Sequence, residues 1–204
     1  MSITLYQGDI PSDLTFGSSV AVDTEAMGLR HNRDRLCLVQ LSSGDGSAHL
    51  VQFKRGEYNA PNLVKLMSDP KVTKLFHFAR FDVSILKAYL GVTVSPIYCT
   101  KIASKLARTY TDRHGLKNLS QELLGIDISK QQQSSDWGAE TLTEAQQSYA
   151  ASDVLYLHEL KSKLDAMLIR EERMHIAQAC FDFLPVRAQL DIMDMGDMDI
   201  FAHS

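Results

Sequence analysis

The chain has 204 residues, 45% of them hydrophobic, and a formal net charge of -4. That length supports one substantial core, so a single domain over residues 1–204 is expected, without the Lys/Arg runs that hold long nucleic acid through its phosphates. No leader pattern or membrane-length apolar run occurs, and Cys37, Cys99 and Cys180 lack paired zinc or redox spacing, so a cytoplasmic protein with reduced thiols and no membrane partner is expected.

Ser19 to Thr24 and Leu36 to Ser42 are short, β-rich apolar runs, and Ala48 to Phe53 alternates more loosely. Three strands are expected there, with Gly44-Asp45-Gly46 as a tight turn between the last two. After Pro61 the period changes, because Leu63, Val64, Leu66 and Met67 share a helix face that Asp69-Pro70 closes. Val72 to Phe78 reads as a further strand. The helix after it carries Phe81, Ile85, Leu86 and Tyr89 and stops at Gly91, a residue suited to a left-handed cap. From Ile97 the chain reads mainly as helix, interrupted by polar loops at Arg108 to Gly115 and Lys130 to Asp136. Thr143 and Gln146 form a capping-box pattern that starts a helix through Tyr149, Asp153 and Leu157, and helices continue to about Pro185. The order of elements predicts an α/β fold, a central mixed β-sheet flanked by α-helices.

Asp23 and Glu25 end the run Val20-Ala-Val, and the two-residue period of a strand puts both carboxylates on one face, where they can share a hard cation. With 25 acids in 204 residues, about three such pairs arise by chance, so the pair alone is not diagnostic. Asp82, in His77-Phe-Ala-Arg-Phe-Asp82, lies at a helix start that favours an acid anyway. Tyr149 and Asp153 are four apart and share a helix face.

Taken together, Asp23-Thr-Glu25, Asp82 and Tyr149-x-x-x-Asp153 resemble the three motifs of the DEDD exonuclease superfamily. The sister branch carries a histidine five residues before the last aspartate, where this chain has Ser148, so Tyr149 points to the DEDDy, ribonuclease D-like branch. The resemblance covers roughly Val20 to Leu164, through Gly115-Leu-Lys-Asn-Leu, Leu123-Leu-Gly and Ser135-Asp-Trp137. It implies a ribonuclease H-like 3'-5' exonuclease fold with a catalytic core over about residues 18–165. Larger ribonuclease D proteins add helical domains after this core, whereas only residues 166–204 follow Asp165 here. That short length, Lys130-Gln-Gln-Gln-Ser-Ser-Asp-Trp and the ending Asp199-Ile-Phe-Ala-His-Ser look closest to the nano-RNase C group of oligoribonuclease-like enzymes.

This resemblance implies a 3'-to-5' exoribonuclease acting on short single-stranded RNA, dinucleotides above all, and releasing nucleoside 5'-monophosphates. It also implies a homo-oligomer, an octameric ring, and residues 166–204, with Ile192, Met193, Met198, Ile200 and Phe201 near the end, are an expected contact. Phosphodiester cleavage by two divalent cations needs oxygen ligands, so Asp23, Glu25, Asp82 and Asp153 are assigned to two Mg2+ or Mn2+ ions. Tyr149 orients the attacking water, because a phenol with a pKa of about 10 is protonated at neutral pH. In the wider superfamily a leucine six residues after the first aspartate wedges between bases, the position of Leu29. Met27, Gly28, His77, Arg80, Arg113 and Lys130 are further expected substrate contacts, with Arg108 and His114 as phosphate candidates; Trp137 is expected to pack in the core. The alternatives are ribonuclease D-like trimming of tRNA or other RNA 3' ends, a single-stranded DNA exonuclease with the same five residues, and a non-catalytic nucleic-acid-binding protein of this fold.

Overall fold

The computed structural model describes residues 2–31, 33–129 and 131–203. Among these, six strands form one sheet in the order β1 (Ser2–Gln7), β4 (Ser47–Gln52), β3 (Leu36–Ser42), β2 (Ser19–Ala26), β5 (Thr73–Phe76) and β6 (Ile97–Cys99). Strand β3 runs antiparallel to β4 and β2, and the β1/β4, β2/β5 and β5/β6 pairs are parallel. The sheet is therefore mixed. All seven residues of β3 are buried, as a strand covered on both faces must be. Gly44 and Gly46 have φ of +79 and +85° in the β3/β4 turn, where a side chain would be strained.

The helices are α1 (Pro61–Ser68), α2 (Ala79–Leu90), α3 (Thr100–Ala107), α4 (Leu116–Leu124), α5 (Glu144–Leu155), α6 (Leu157–Arg170) and α7 (Met174–Ile192). Helix α5 packs on β2, β3 and β4, while α2 packs on β3, β5, β6 and α7. A larger core joins the sheet to α2, α3, α6 and α7. A smaller one gathers Cys37, Leu38 and Leu50 with Trp137, Leu142 and Ala150. No helix among the described residues is long and apolar enough to cross a membrane.

Several expected boundaries move for identifiable reasons. Strand β1 is an unpredicted edge strand whose half-exposed residues form no apolar run. Strand β6, three residues long, is defined by its pairing with β5. The strand expected to reach Phe78 ends at Phe76, because Phe78 turns into the left-handed region (φ 71°, ψ 43°) and caps α2. The single helix expected through Leu157 breaks at Tyr156 (φ -107°, ψ 0°). Helix α7 continues past Pro185 to Ile192. The proline removes one backbone donor, but Phe181, Leu184 and Ala188 on the same helix are buried and hold it to the core.

Lys74 is fully buried, and its Nζ donates to the carbonyls of Asp69 (2.8 Å), Val72 (2.6 Å) and Ser95 (2.5 Å). Burial pushes its pKa down to about 8. All three ammonium donors are satisfied, which joins the end of α1 to the start of β5 and β6.

Candidate active site

Strand β2 pairs with its parallel neighbour β5 only through Ala21. Beyond that point β5 ends and the chain turns into α2, so Asp23 and Glu25 project past the carboxyl end of the neighbouring strand, where crevices of open α/β sheets form. Two helices complete the group. Asp82 sits in the first turn of α2, and α5 brings Tyr149 and Asp153. The capping box expected at Thr143 fixes the start of α5: Gln146 N donates to Thr143 Oγ1 at 3.2 Å, and Thr143 N donates to Gln146 Oε1 at 2.9 Å.

Asp23, Glu25 and Asp153 each offer a carboxylate oxygen within 4.8 Å of the others. Gln40, opposite Asp23 on β3, donates from Nε2 to Asp23 Oδ2 at 3.3 Å. The Thr24 hydroxyl donates to Asp82 Oδ1 at 2.7 Å, which ties α2 to β2. Asp82 is 3% exposed, so that bond replaces lost water.

Such a cluster repels itself. Burial, then the charges of Asp82, Asp153 and Glu25, holds the Asp23 carboxyl well above the usual range. Burial followed by the charges of Asp153 and Asp82 raises Glu25 to about 9. Burial raises Asp82 to about 7, although the Thr24 hydrogen bond pulls the other way. A cluster in this state takes up protons or cations, and its all-carboxylate donor set fits hard divalent ions such as Mg2+ or Mn2+.

Tyr149 packs against Trp137 with ring centroids 5.9 Å apart. Trp137 is 2% exposed, so it supports the tyrosine ring from within the smaller core, as expected of a core tryptophan. Burial and the charges of Asp153, Glu25 and Asp23 push the Tyr149 phenol above its ordinary value. It keeps its proton and serves as a donor. Tyr149→Phe is expected to lower kcat about 10- to 100-fold with KM little changed, because a group that orients a nucleophile acts in the transition state. Equal loss in KM, measured by steady-state kinetics, would instead assign the hydroxyl to substrate binding.

The acids open into a cleft of about 720 Å³. Met27 and Leu29 line it and are 50% and 81% exposed, so neither is a core residue. Gly28 between them has no room for a side chain, since a Cβ would lie 2.3 Å from Asp34 Oδ2. That carboxylate is engaged by Arg30 N (3.0 Å) and by Arg33. His77 also lines the cleft. The Thr100 hydroxyl donates to Phe76 O (3.1 Å), so it accepts from His77 Nδ1 (2.9 Å).

The expected basic contacts fare differently. Arg80 does not line this cleft: its guanidinium makes two 2.7 Å bonds to Asp191 of α7 and a 3.0 Å bond to Gly196 O. Arg187 reaches the same two residues. Arg80 thus clasps the C-terminal segment. Arg113 is exposed and outside the cleft, and Lys130 lies outside the described residues. Arg108 is fully buried, bonded to Ser104, Arg113 O and Glu122, so it is a structural cation and no phosphate contact. His114 is turned to Ser104 at 2.9 Å. The cleft residues that sequence reasoning did not single out include Phe78, Lys101 and Lys117. Lys117 lies inside Gly115-Leu-Lys-Asn-Leu and Phe78 inside His77-Phe-Ala-Arg-Phe-Asp82, which marked their segments; Lys101 carries no sequence signal.

A family model described as 3'-5' exonuclease matches residues 9–169. A ribonuclease D of Acidiphilium cryptum is 37% identical over 155 residues, 76% of this chain and 39% of that protein. The chain thus spans about two fifths of the length of that relative. Among solved structures, Brucella melitensis NrnC with bound Mg2+ is 53% identical with a TM-score of 0.96, and NrnC bound to pGG is 55% identical with a TM-score of 0.97; each match covers 100% of both chains. Escherichia coli RNase D, an exoribonuclease involved in structured RNA processing, is 26% identical with a TM-score of 0.75, over 85% of this chain and 45% of that one.

Proposed function

The chain belongs to the 3'-5' exonuclease family, in the ribonuclease D-like branch that contains Brucella NrnC, and from that premise we propose that it removes nucleotides from the 3' end of short single-stranded RNA, dinucleotides above all, in the cytoplasm. The observation that carries this reading is the meeting of Asp23, Glu25 and Asp153 within 4.8 Å in a cleft that also receives Asp82 and Tyr149. Three facts favour short strands. The cleft, at about 720 Å³, is of the size that encloses small ligands. The chain is acidic overall and carries no basic track for a long polyanion. The similar NrnC has been solved with pGG.

Asp23 would be shared between two cations, Mg2+ or Mn2+, with Glu25 and Asp153 completing the nucleophile side and Asp82 serving the leaving-group side. Bound there, divalent ions supply Lewis acidity, activating water and offsetting charge on the phosphoryl group. The protein's own groups do the rest. Thr24 fixes one oxygen of Asp82 and leaves the other to turn toward the cleft. Tyr149 donates its hydroxyl proton toward the nucleophile and holds it in line with the 3'-terminal phosphodiester. Leu29, exposed on the rim, separates the terminal bases, and the products are nucleoside 5'-monophosphates.

Single-turnover hydrolysis of 5'-labelled RNA of two, three, five and about twenty nucleotides, with matched DNA, tests this. The dinucleotide is expected to react fastest, with rates falling steadily with length. Equal rates at all lengths overturn the short-substrate reading, and faster DNA cleavage would favour the DNA alternative.

We also propose self-association, with the octameric ring implied by the sequence resemblance as the expected form. Val186, Met193, Met198 and Phe201 are 50 to 79% exposed on α7 and the tail. Met198 and Phe201 border a groove of about 330 Å³ with Phe183, Leu190 and Ile200. Light scattering is expected to show a multimer for the full chain and a smaller species after removal of residues 194–204; a full-length monomer would end this proposal.

A further inference from the structure

Phe78 occupies a position its chemistry resists. Its backbone is left-handed (φ 71°, ψ 43°), and it caps α2 without a side-chain hydrogen bond. A Cβ in that region crowds the following carbonyl, and glycine or asparagine adopts it more readily. The ring does not join the core in return: Phe76, two residues before, and Ala79, the next residue, are fully buried, yet Phe78 is 45% exposed. A strained residue with an exposed aromatic ring beside a cluster of carboxylates points to use of the ring by a ligand.

Its surroundings define that ligand. Phe78 lies on the catalytic cleft with Leu29 and directly follows His77. Lys101 of α3 lines the same cleft and holds Nζ 4.2 Å from the centre of the Phe78 ring. An aromatic face and an adjacent ammonium match the two parts of a nucleotide: a base stacks on the ring without regard to sequence, and the ammonium meets the phosphate.

We infer that Phe78 and Lys101 form a nucleotide platform, in which the ring stacks on a base of the bound strand and Lys101 contacts the neighbouring phosphate. The inference rests on the reading that this cleft takes short RNA. The same two residues also border an apolar groove between α3 and α7. A subunit contact there would bury the ammonium against apolar groups, at a desolvation cost that a phosphate removes. The platform therefore belongs to the substrate.

The test measures binding of a dinucleotide containing 2-aminopurine to the Asp153→Asn protein with Mg2+. Phe78→Gly removes the ring but suits the left-handed backbone, so the melting temperature should stay level or rise. Affinity should fall about tenfold, and the stacking quench of 2-aminopurine should be lost. Phe78→Trp should keep both the affinity and the quench. Lys101→Ala should weaken binding and flatten its salt dependence, whereas Lys101→Arg retains it. Wild-type affinity and quench in Phe78→Gly overturn the platform, as does unchanged binding with a smaller mass by light scattering, which would assign the ring to a subunit contact. Failure of the unsubstituted protein to hydrolyse dinucleotides would instead overturn the short-RNA reading itself.

Discussion

Replacing Asp153 with asparagine is expected to lower turnover of a short RNA roughly a thousandfold or more in saturating Mg2+, while leaving the metal-free protein at least as heat-stable as its parent. The amide has nearly the same size as the carboxylate and keeps one oxygen, so α5 and its capping box stay in place. What it loses is the charge that holds a cation against Asp23 and Glu25, whose oxygens lie within 4.8 Å. A weakened cation fails most where phosphoryl charge builds up, so kcat falls further than binding.

The stability half of this prediction follows from the same charges. Asp153 is the largest electrostatic contributor to the raised pKa of Glu25 and adds to that of Asp23. Removing it relieves repulsion that the folded chain otherwise carries. An active site assembled for a cation is strained without one, which is how function and stability come to oppose each other. Calorimetry in EDTA alongside single-turnover kinetics reads both effects. Wild-type hydrolysis by the variant, with a parallel Asp23→Asn preparation excluding contaminating nuclease, would remove Asp153 from the site.

Much of this arrangement was legible in the chain because it is written in periodicity. Strands β2 and β3 contain short, β-rich apolar runs and β4 alternates more loosely, and the five residues of the cluster stand in local settings that are ordinary singly and specific together. The unread parts depend on distant partners. Strand β1 exists through its pairing with β4. Sequence proximity to Asp82 misplaced Arg80, because residues two apart on a helix point to different sides; Asp82 turns to Thr24, and Arg80 to Asp191 on α7. Arg108 resembled a loop cation until its burial beneath Glu122 was seen. The left-handed backbone and exposed ring of Phe78 gave no signal, although it stands in the segment His77 to Asp82, since backbone strain leaves no trace in composition.

Metal-free protein is expected to lose stability as the pH rises from about 6.5 to about 8, and Mg2+ should restore it most at the upper end. Glu25 is raised to about 9 and Asp82 to about 7 in the folded chain, whereas both titrate near 4 when unfolded. Between those values the folded state binds more protons than the unfolded state, so stability falls with rising pH. The window is set by neighbours of opposite sign. Burial lowers the pKa of His31, His49, His114 and His158, which makes stability rise with pH, but only below about 6.5. Lys74, lowered to about 8, has the same effect above that value. Between these limits the carboxylates dominate. One retained proton over this interval corresponds to about 2 kcal/mol, or a melting temperature lower by roughly 4–8 °C for a domain of this size. Saturating Mg2+ replaces the proton as the neutralising charge, so the gap between EDTA and Mg2+ samples should widen toward pH 8. A flat or rising melting temperature in EDTA across this window would show that the four carboxylates do not share a buried, mutually repelling site.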